Sequence, residues 1–113
     1  MPLNHVALTV SDRDASAAFY GEFFGLTERV HDDHLLILGD GAGSLLALTV
    51  GDVPPELPRT NHFGFQIATE EVHRARERLR AAGVTETEWQ DDGEFVRVQV
   101  LDPDGYRVEF FGY

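Results

Sequence analysis

The sequence predicts an α+β fold built from two successive strand–helix–strand–strand–strand modules. Three observations lead to it. Apolar residues switch from a period of two to a helical period, then back, in the same order twice. Glycines and tight turns punctuate both passes at matching places. His5 and His62 each stand at the start of their pass. A repeat within 113 residues says more about organisation than any single segment does.

The first module covers 1–51. His5-Val6-Ala7-Leu8-Thr9-Val10 reads as a strand rich in β-branched residues. Ser11-Asp12-Arg13-Asp14 starts a helix, because Ser11 or Asp12 offers an oxygen to the free backbone amides of its first turn. Along it Phe19, Tyr20, Phe23 and Phe24 fall at helical spacing and are expected to pack on a sheet, and Gly25 ends it. Strands are expected at 27–30, 35–38 and 45–50, with Gly39-Asp40-Gly41 and Gly43 turning the chain between the last two. Pro54, Pro55 and Pro58 make 52–58 a linker.

The second module, 59–113, repeats the order. His62-Phe63-Gly64-Phe65-Gln66-Ile67 is a strand. Thr69 is expected to cap a helix bearing Val72, Ala75, Leu79 and Ala82, and Gly83 to end it. Strands follow at 85–89, 95–101 and 106–111, the last two joined by the tight Asp102-Pro103-Asp104-Gly105 turn.

Composition excludes several functions. With 42% hydrophobic, 11% aromatic and 26% charged residues the chain folds as one small domain. No apolar run approaches the roughly 20 residues of a membrane helix, and the N-terminus lacks the features of a secretion signal. The absence of cysteine removes disulfides, thiolate metal sites and a cysteine nucleophile, and the expected compartment is the cytoplasm. Twenty acidic residues against nine basic ones, a net charge of −11, argue against nucleic-acid and membrane partners. All nine basic residues are arginines, so lysine Schiff-base chemistry is excluded. Carboxylates, five histidines, hydroxyls and a bound metal remain.

Three residues stand out. His5 and His62 are equivalent in the repeat, and Glu109 lies on the final strand. Strand alternation puts His5 with Ala7 and Thr9, His62 with Gly64 and Gln66, and Glu109 with Arg107 and Phe111. If the halves pack as pseudo-symmetric sheets, two imidazoles and one carboxylate converge. Such a set suits a divalent ion and leaves positions open for water or substrate. The residues alone equally admit hydrogen-bonded strand histidines and a carboxylate at a sheet edge. Arg97, Gln99 and Arg107 are candidates to line the same cup and bind substrate. Arg107 fits an anionic group or a surface acid equally well. His31 and His34 flank Asp32-Asp33 in what reads as a solvated turn. His73 reads as surface, and the arginines at 74, 76, 78 and 80 as an exposed face with ion pairs a turn apart. Trp89 fits the core or the wall of a pocket.

The chain resembles the vicinal oxygen chelate superfamily, the glyoxalase / bleomycin-resistance / extradiol-dioxygenase group. The resemblance rests on Asn4-His5-Val6-Ala7-Leu8-Thr9-Val10, on Phe19-Tyr20 followed by Gly25-Leu26, and on the closing Leu101-Asp102-Pro103-Asp104-Gly105-Tyr106-Arg107-Val108-Glu109-Phe110-Phe111. It implies two βαβββ modules forming cupped mixed sheets. It also implies His5, His62 and Glu109 as ligands of a divalent ion (Fe, Mn, Zn or Ni). A homodimer is implied as well, with sites that can be shared between subunits.

Departures from the family's subgroups narrow the activity. Glyoxalase I and related epimerases usually add a ligand from the last strand of the first module, where this chain has Ala47. A methyl group neither coordinates nor abstracts a proton, so that isomerisation is disfavoured. Extradiol enzymes usually carry a tyrosine where Gln99 stands. Fosfomycin-resistance transferases usually carry a threonine in place of Ala7, together with a potassium loop and a C-terminal extension. This sequence stops four residues after Glu109. The expectation is a metal-dependent enzyme acting on a small oxygen-chelating substrate, dioxygenase-like or a resistance-type transferase. The alternative is a bleomycin-type drug-binding protein without catalysis, whose cationic ligand would suit the acidic chain.

Overall fold

A computed structural model describes residues 1–59 and 61–113. In chain order the elements are β1 (His5–Val10), α1 (Arg13–Phe24), β2 (Thr27–His31), β3 (Leu36–Gly39) and β4 (Leu45–Val50). They continue with β5 (His62–Gln66), α2 (Thr69–Ala81), β6 (Glu86–Asp91), β7 (Val96–Leu101) and β8 (Arg107–Gly112). The βαβββ order therefore occurs twice. The chain divides into two compact units, Met1–Pro54 and Pro55–Tyr113.

In the first unit the sheet order is β1-β4-β3-β2, with β1 and β4 parallel and the other pairs antiparallel. The register places Leu8 beside Leu48, Leu36 beside Leu48 and Leu38 beside Leu46. These leucines and Val10 are buried on one face. Phe19 and Tyr20 of α1 are buried with them, their rings edge to face at 5.2 Å. Phe23 and Phe24 are only half-buried. Asp12 is the N-cap, its carboxylate accepting the Ala15 N–H at 3.1 Å. Gly25 closes the helix in the left-handed region at φ 67°, a conformation that costs glycine nothing sterically. The opposite sheet face carries His5, Ala7, Ala47 and Thr49 together with the half-buried Leu45 and Ile37.

In the second unit the order is β5-β8-β7-β6, again with the first and last strands parallel. Val72, Ala75 and Leu79 of α2 are buried with Val96, Val98, Val100, Val108 and Phe110 of the sheet. Two expectations are corrected here. Thr69 is not the cap of α2: Ala68 is, with no side-chain bond, and its carbonyl accepts the N–H groups of Glu71 and Val72. The chain is packed closely at this start: a Cβ on Gly112 would lie 2.5 Å from the Ile67 carbonyl and 2.9 Å from the Thr69 nitrogen. The arginine face of α2 is also not uniformly solvated. Arg74 pairs with Glu71 one turn away, but Arg76 crosses to β6. It donates through Nε and Nη2 to Glu86 at 2.8 and 3.1 Å, with its guanidinium 4.0 Å above the Trp89 ring. Trp89 thus packs on the helix side of the sheet, where the His73 ring also meets it at 5.4 Å.

The 102–105 turn forms as expected. The buried Asp102 carboxylate accepts the N–H groups of Asp104 and Tyr106, each at 2.9 Å. Burial, and then the charges of Asp102 and Asp104, push the Tyr106 hydroxyl above its ordinary value. Among the described residues no helix is long and apolar enough to cross a membrane.

Candidate functional site

The face of the second sheet turned away from α2 gathers the polar side chains. Parallel pairing sets His62 beside Arg107 and Gly64 beside Glu109, while β7 sets Gln99 beside Glu109. Alternation therefore puts His62, Arg107, Glu109, Gln99 and Arg97 on one surface. A bulge in β6 between Glu86 and Glu88 turns both Thr87 and Glu88 toward Gln99. The result is an open cavity of about 400 Å³ lined by His62, Thr87, Glu88, Gln99 and Arg107.

Glu109 is the buried charge of this face, 9% exposed. Its Oε2 accepts from Arg97 Nη1 at 3.0 Å and from Gln99 Nε2 at a long 3.4 Å. Gln99 is itself oriented by Thr87, whose hydroxyl donates to its Oε1 at 3.0 Å. Arg97 reaches the other way to Glu88 Oε2 at 2.9 Å. A buried carboxylate held in this way keeps its charge partner and one defined direction. Arg107 differs: its Nη1 is buried without a hydrogen-bond partner among the described residues. A buried guanidinium N–H left unpaired is costly, so a group that accepts from it gains affinity.

The first unit carries His5, exposed, with its Nδ1 3.1 Å from Asn4 Oδ1. It pairs with Leu45 and Ala7 pairs with Ala47, as His62 pairs with Arg107 and Gly64 with Glu109. His5 and His62 are therefore structural equivalents, and Ala47 occupies the place of Glu109. Within either unit, no three His, Asp or Glu side chains among the described residues gather at metal-binding range. The second unit alone brings together His62, Glu109, Gln99, Arg97 and Arg107.

The donor types fit a divalent ion: imidazole nitrogen and carboxylate oxygen together suit Mn, Fe, Zn and Ni. Glu109 also has a dedicated seat, because a Cβ on Gly64 would lie only 2.5 Å from its Cγ. His31 and His34 do not form a cluster. Asp32 accepts the backbone N–H groups of His34 and Leu35, which hold its carboxyl below the ordinary range, and all four residues of 31–34 are exposed. Thr87, Glu88 and Gly64 were not legible as site residues. The bulge that turns Thr87 inward has no sequence signature, whereas a glycine inside an alternating strand does signal close approach.

Two βαβββ units, each with its parallel strand pair at one edge of the sheet, have the architecture of the vicinal oxygen chelate class. The chain belongs to the Glyoxalase/Bleomycin resistance protein/Dioxygenase superfamily, whose model matches residues 2–110. It is 34% identical over 113 residues to the glutathione transferase FosA of Serratia marcescens, covering 95% of this chain and 77% of that protein. It is 28% identical over 116 residues to the metallothiol transferase FosB of Lysinibacillus sphaericus strain C3-41, covering 96% and 79%. Among solved structures it is similar to the fosfomycin resistance protein FosX of Listeria monocytogenes complexed with Mn(II) and sulfate. That likeness has a TM-score of 0.84 at 27% identity, covering 98% of this chain and 89% of that one.

Proposed function

We propose that this chain is a divalent-metal-dependent transferase of the resistance type. It joins a thiol to a small substrate that chelates the ion through neighbouring oxygens. A carbon–sulfur bond forms as a substrate carbon–oxygen bond breaks, and its oxygen takes up the thiol proton. Fosfomycin is the first substrate to test. The observation that carries the reading is the seat of Glu109, a buried carboxylate lodged over Gly64 on the face that also bears His62. The relatives supply the direction: two are named as thiol-using transferases, and the third, a fosfomycin resistance protein, was solved with Mn(II).

In this reading His5, His62 and Glu109 hold the ion, which when bound polarises a substrate oxygen as a Lewis acid. Arg107 offers its unpaired Nη1 to an anionic group of the substrate. Gln99, steadied by Thr87, keeps the amide side of the cup in place, and Arg97 braces Glu109. The protein works in the cytoplasm as a homodimer whose sites take His5 from one subunit and His62 and Glu109 from the other. Ala47 in the fourth-ligand place leaves an additional coordination position to water or substrate.

The test is direct. The full chain, loaded with Mn(II), is incubated with fosfomycin and glutathione or L-cysteine, and the products are followed by mass spectrometry. A thiol adduct is expected, lost in His5→Ala, His62→Ala and Glu109→Ala. Mixing His5→Ala with His62→Ala protein restores activity if sites are shared between subunits. No adduct with either thiol, together with tight glycopeptide-drug binding by the metal-free protein, replaces catalysis with sequestration.

A further inference from the structure

The two oxygens of Glu109 face different neighbours. Oε2 is taken on the β7 side by Arg97 and Gln99. Oε1 lies on the β5 side, 3.3 Å from the position a Gly64 Cβ would occupy, and His62 stands two residues before that glycine. Arg97 is fixed in turn from β6, by Glu88 Oε2 at 2.9 Å and by Gln90 Oε1 at 3.4 Å. Three neighbouring strands thus carry an acid, a base and an acid in a row. The middle group leans on the buried carboxylate with only 22% of its own side chain exposed.

We propose that Arg97 is a positioning residue for the metal, holding Oε2 so that Glu109 ligates through Oε1 alone. This rests on the metal reading above and adds the manner in which the carboxylate binds. A guanidinium beside a ligand carboxylate has two opposed effects. As a nearby positive charge it competes with the incoming cation. As a rigid fork it removes the rotational freedom that the carboxylate would otherwise lose on binding, and outer partners of metal ligands characteristically strengthen binding in this way. The geometry favours the second effect. Arg97 is anchored at both ends and its hydrogen bond to Glu109 goes to Oε2, so the cation takes Oε1 without displacing it.

The sign of one measurement separates the two effects. Co(II) is titrated into the metal-free full chain by calorimetry, with visible absorption as a second readout. Arg97→Ala is expected to weaken binding about 10-fold or more. Its Co(II) bands should shift as the freed Oε2 joins the ion and raises its coordination number. Arg97→Lys, which keeps a donor near Oε2, should recover most of the affinity, an outcome that general loss of structure would not give. If Arg97→Ala fails to fold, Glu88→Gln removes only the far anchor and should weaken binding to a smaller degree. Equal or tighter binding by Arg97→Ala overturns the proposal, because Arg97 is then only a competing charge. A wild-type chain that binds no Co(II) overturns the metal reading itself, a result distinguishable from the first because no variant then differs from it.

Discussion

The side chain of Glu109 runs through the space that a methyl group on Gly64 would fill, with Cγ 2.5 Å from that Cβ position and the Glu109 carbonyl 3.1 Å from it. Gly64→Ala should therefore swing the carboxylate out of its seat while leaving the sheet intact. Divalent-ion affinity is expected to fall about 10- to 100-fold with unchanged circular dichroism. Undiminished binding would remove Glu109 from the proposed ligand set.

Arg76 joins α2 to β6 through Glu86 and through the face of Trp89. Arg76→Ala should destabilise the fold by about 1–2 kcal/mol, the joint loss of an ion pair and a cation–π contact. The pH dependence has a definite sign. The Arg76 hydrogen bond lowers the Glu86 carboxyl below its ordinary 4.5. Its contribution is therefore complete above that value and disappears as pH falls through the lower, folded one. In urea melts the gap between wild type and Glu86→Gln should be constant from neutrality to about pH 5 and close below it.

At the start of α2, Ala68 occupies an N-cap position with extended backbone and no side-chain acceptor. Ala68→Asp should stabilise the protein by about 1 kcal/mol by giving the first-turn amides a partner. A thermal midpoint that stays put would mean that the packing of Gly112 already governs that end of the helix.

Ser16 is fully buried on α1, and its hydroxyl has no hydrogen-bond partner among the described residues. Ser16→Ala should be neutral or stabilising by up to about 1 kcal/mol, since the polar group is desolvated without return. A clear loss of stability in chemical denaturation would show that the hydroxyl has an acceptor after all.

The architecture was legible because its signals are local. Period-two runs, the Asp12 cap, Gly25 and the 102–105 turn each act within a few residues, and the repeat doubles every signal. Alternation likewise made legible which residues share a face within one strand, but that His62 and Glu109 lie on the same face follows from the parallel register of β5 with β8. Several features were not. Ala68 stands in place of Thr69 at the head of α2, a one-residue shift at a helix start that the capping signal did not resolve. Trp89 could not be assigned to core or pocket, because the β6 bulge two residues earlier changes which face it meets. The reach of Arg97 to both Glu88 and Glu109 depends on side chains from three strands, and no spacing along the chain encodes that.

The shared register of the two sheets has a consequence for how such proteins change. Ala47 sits opposite Ala7 as Glu109 sits opposite Gly64. A glutamate introduced at 47 would meet the methyl of Ala7 in the place where Glu109 enjoys a hydrogen atom. In the proposed metal site a fourth donor thus lies two coupled replacements away, Ala7→Gly with Ala47→Glu. The path through sequence space crosses either a crowded acid or a weakened strand, so the proposed three-donor set is one that single mutations do not readily leave.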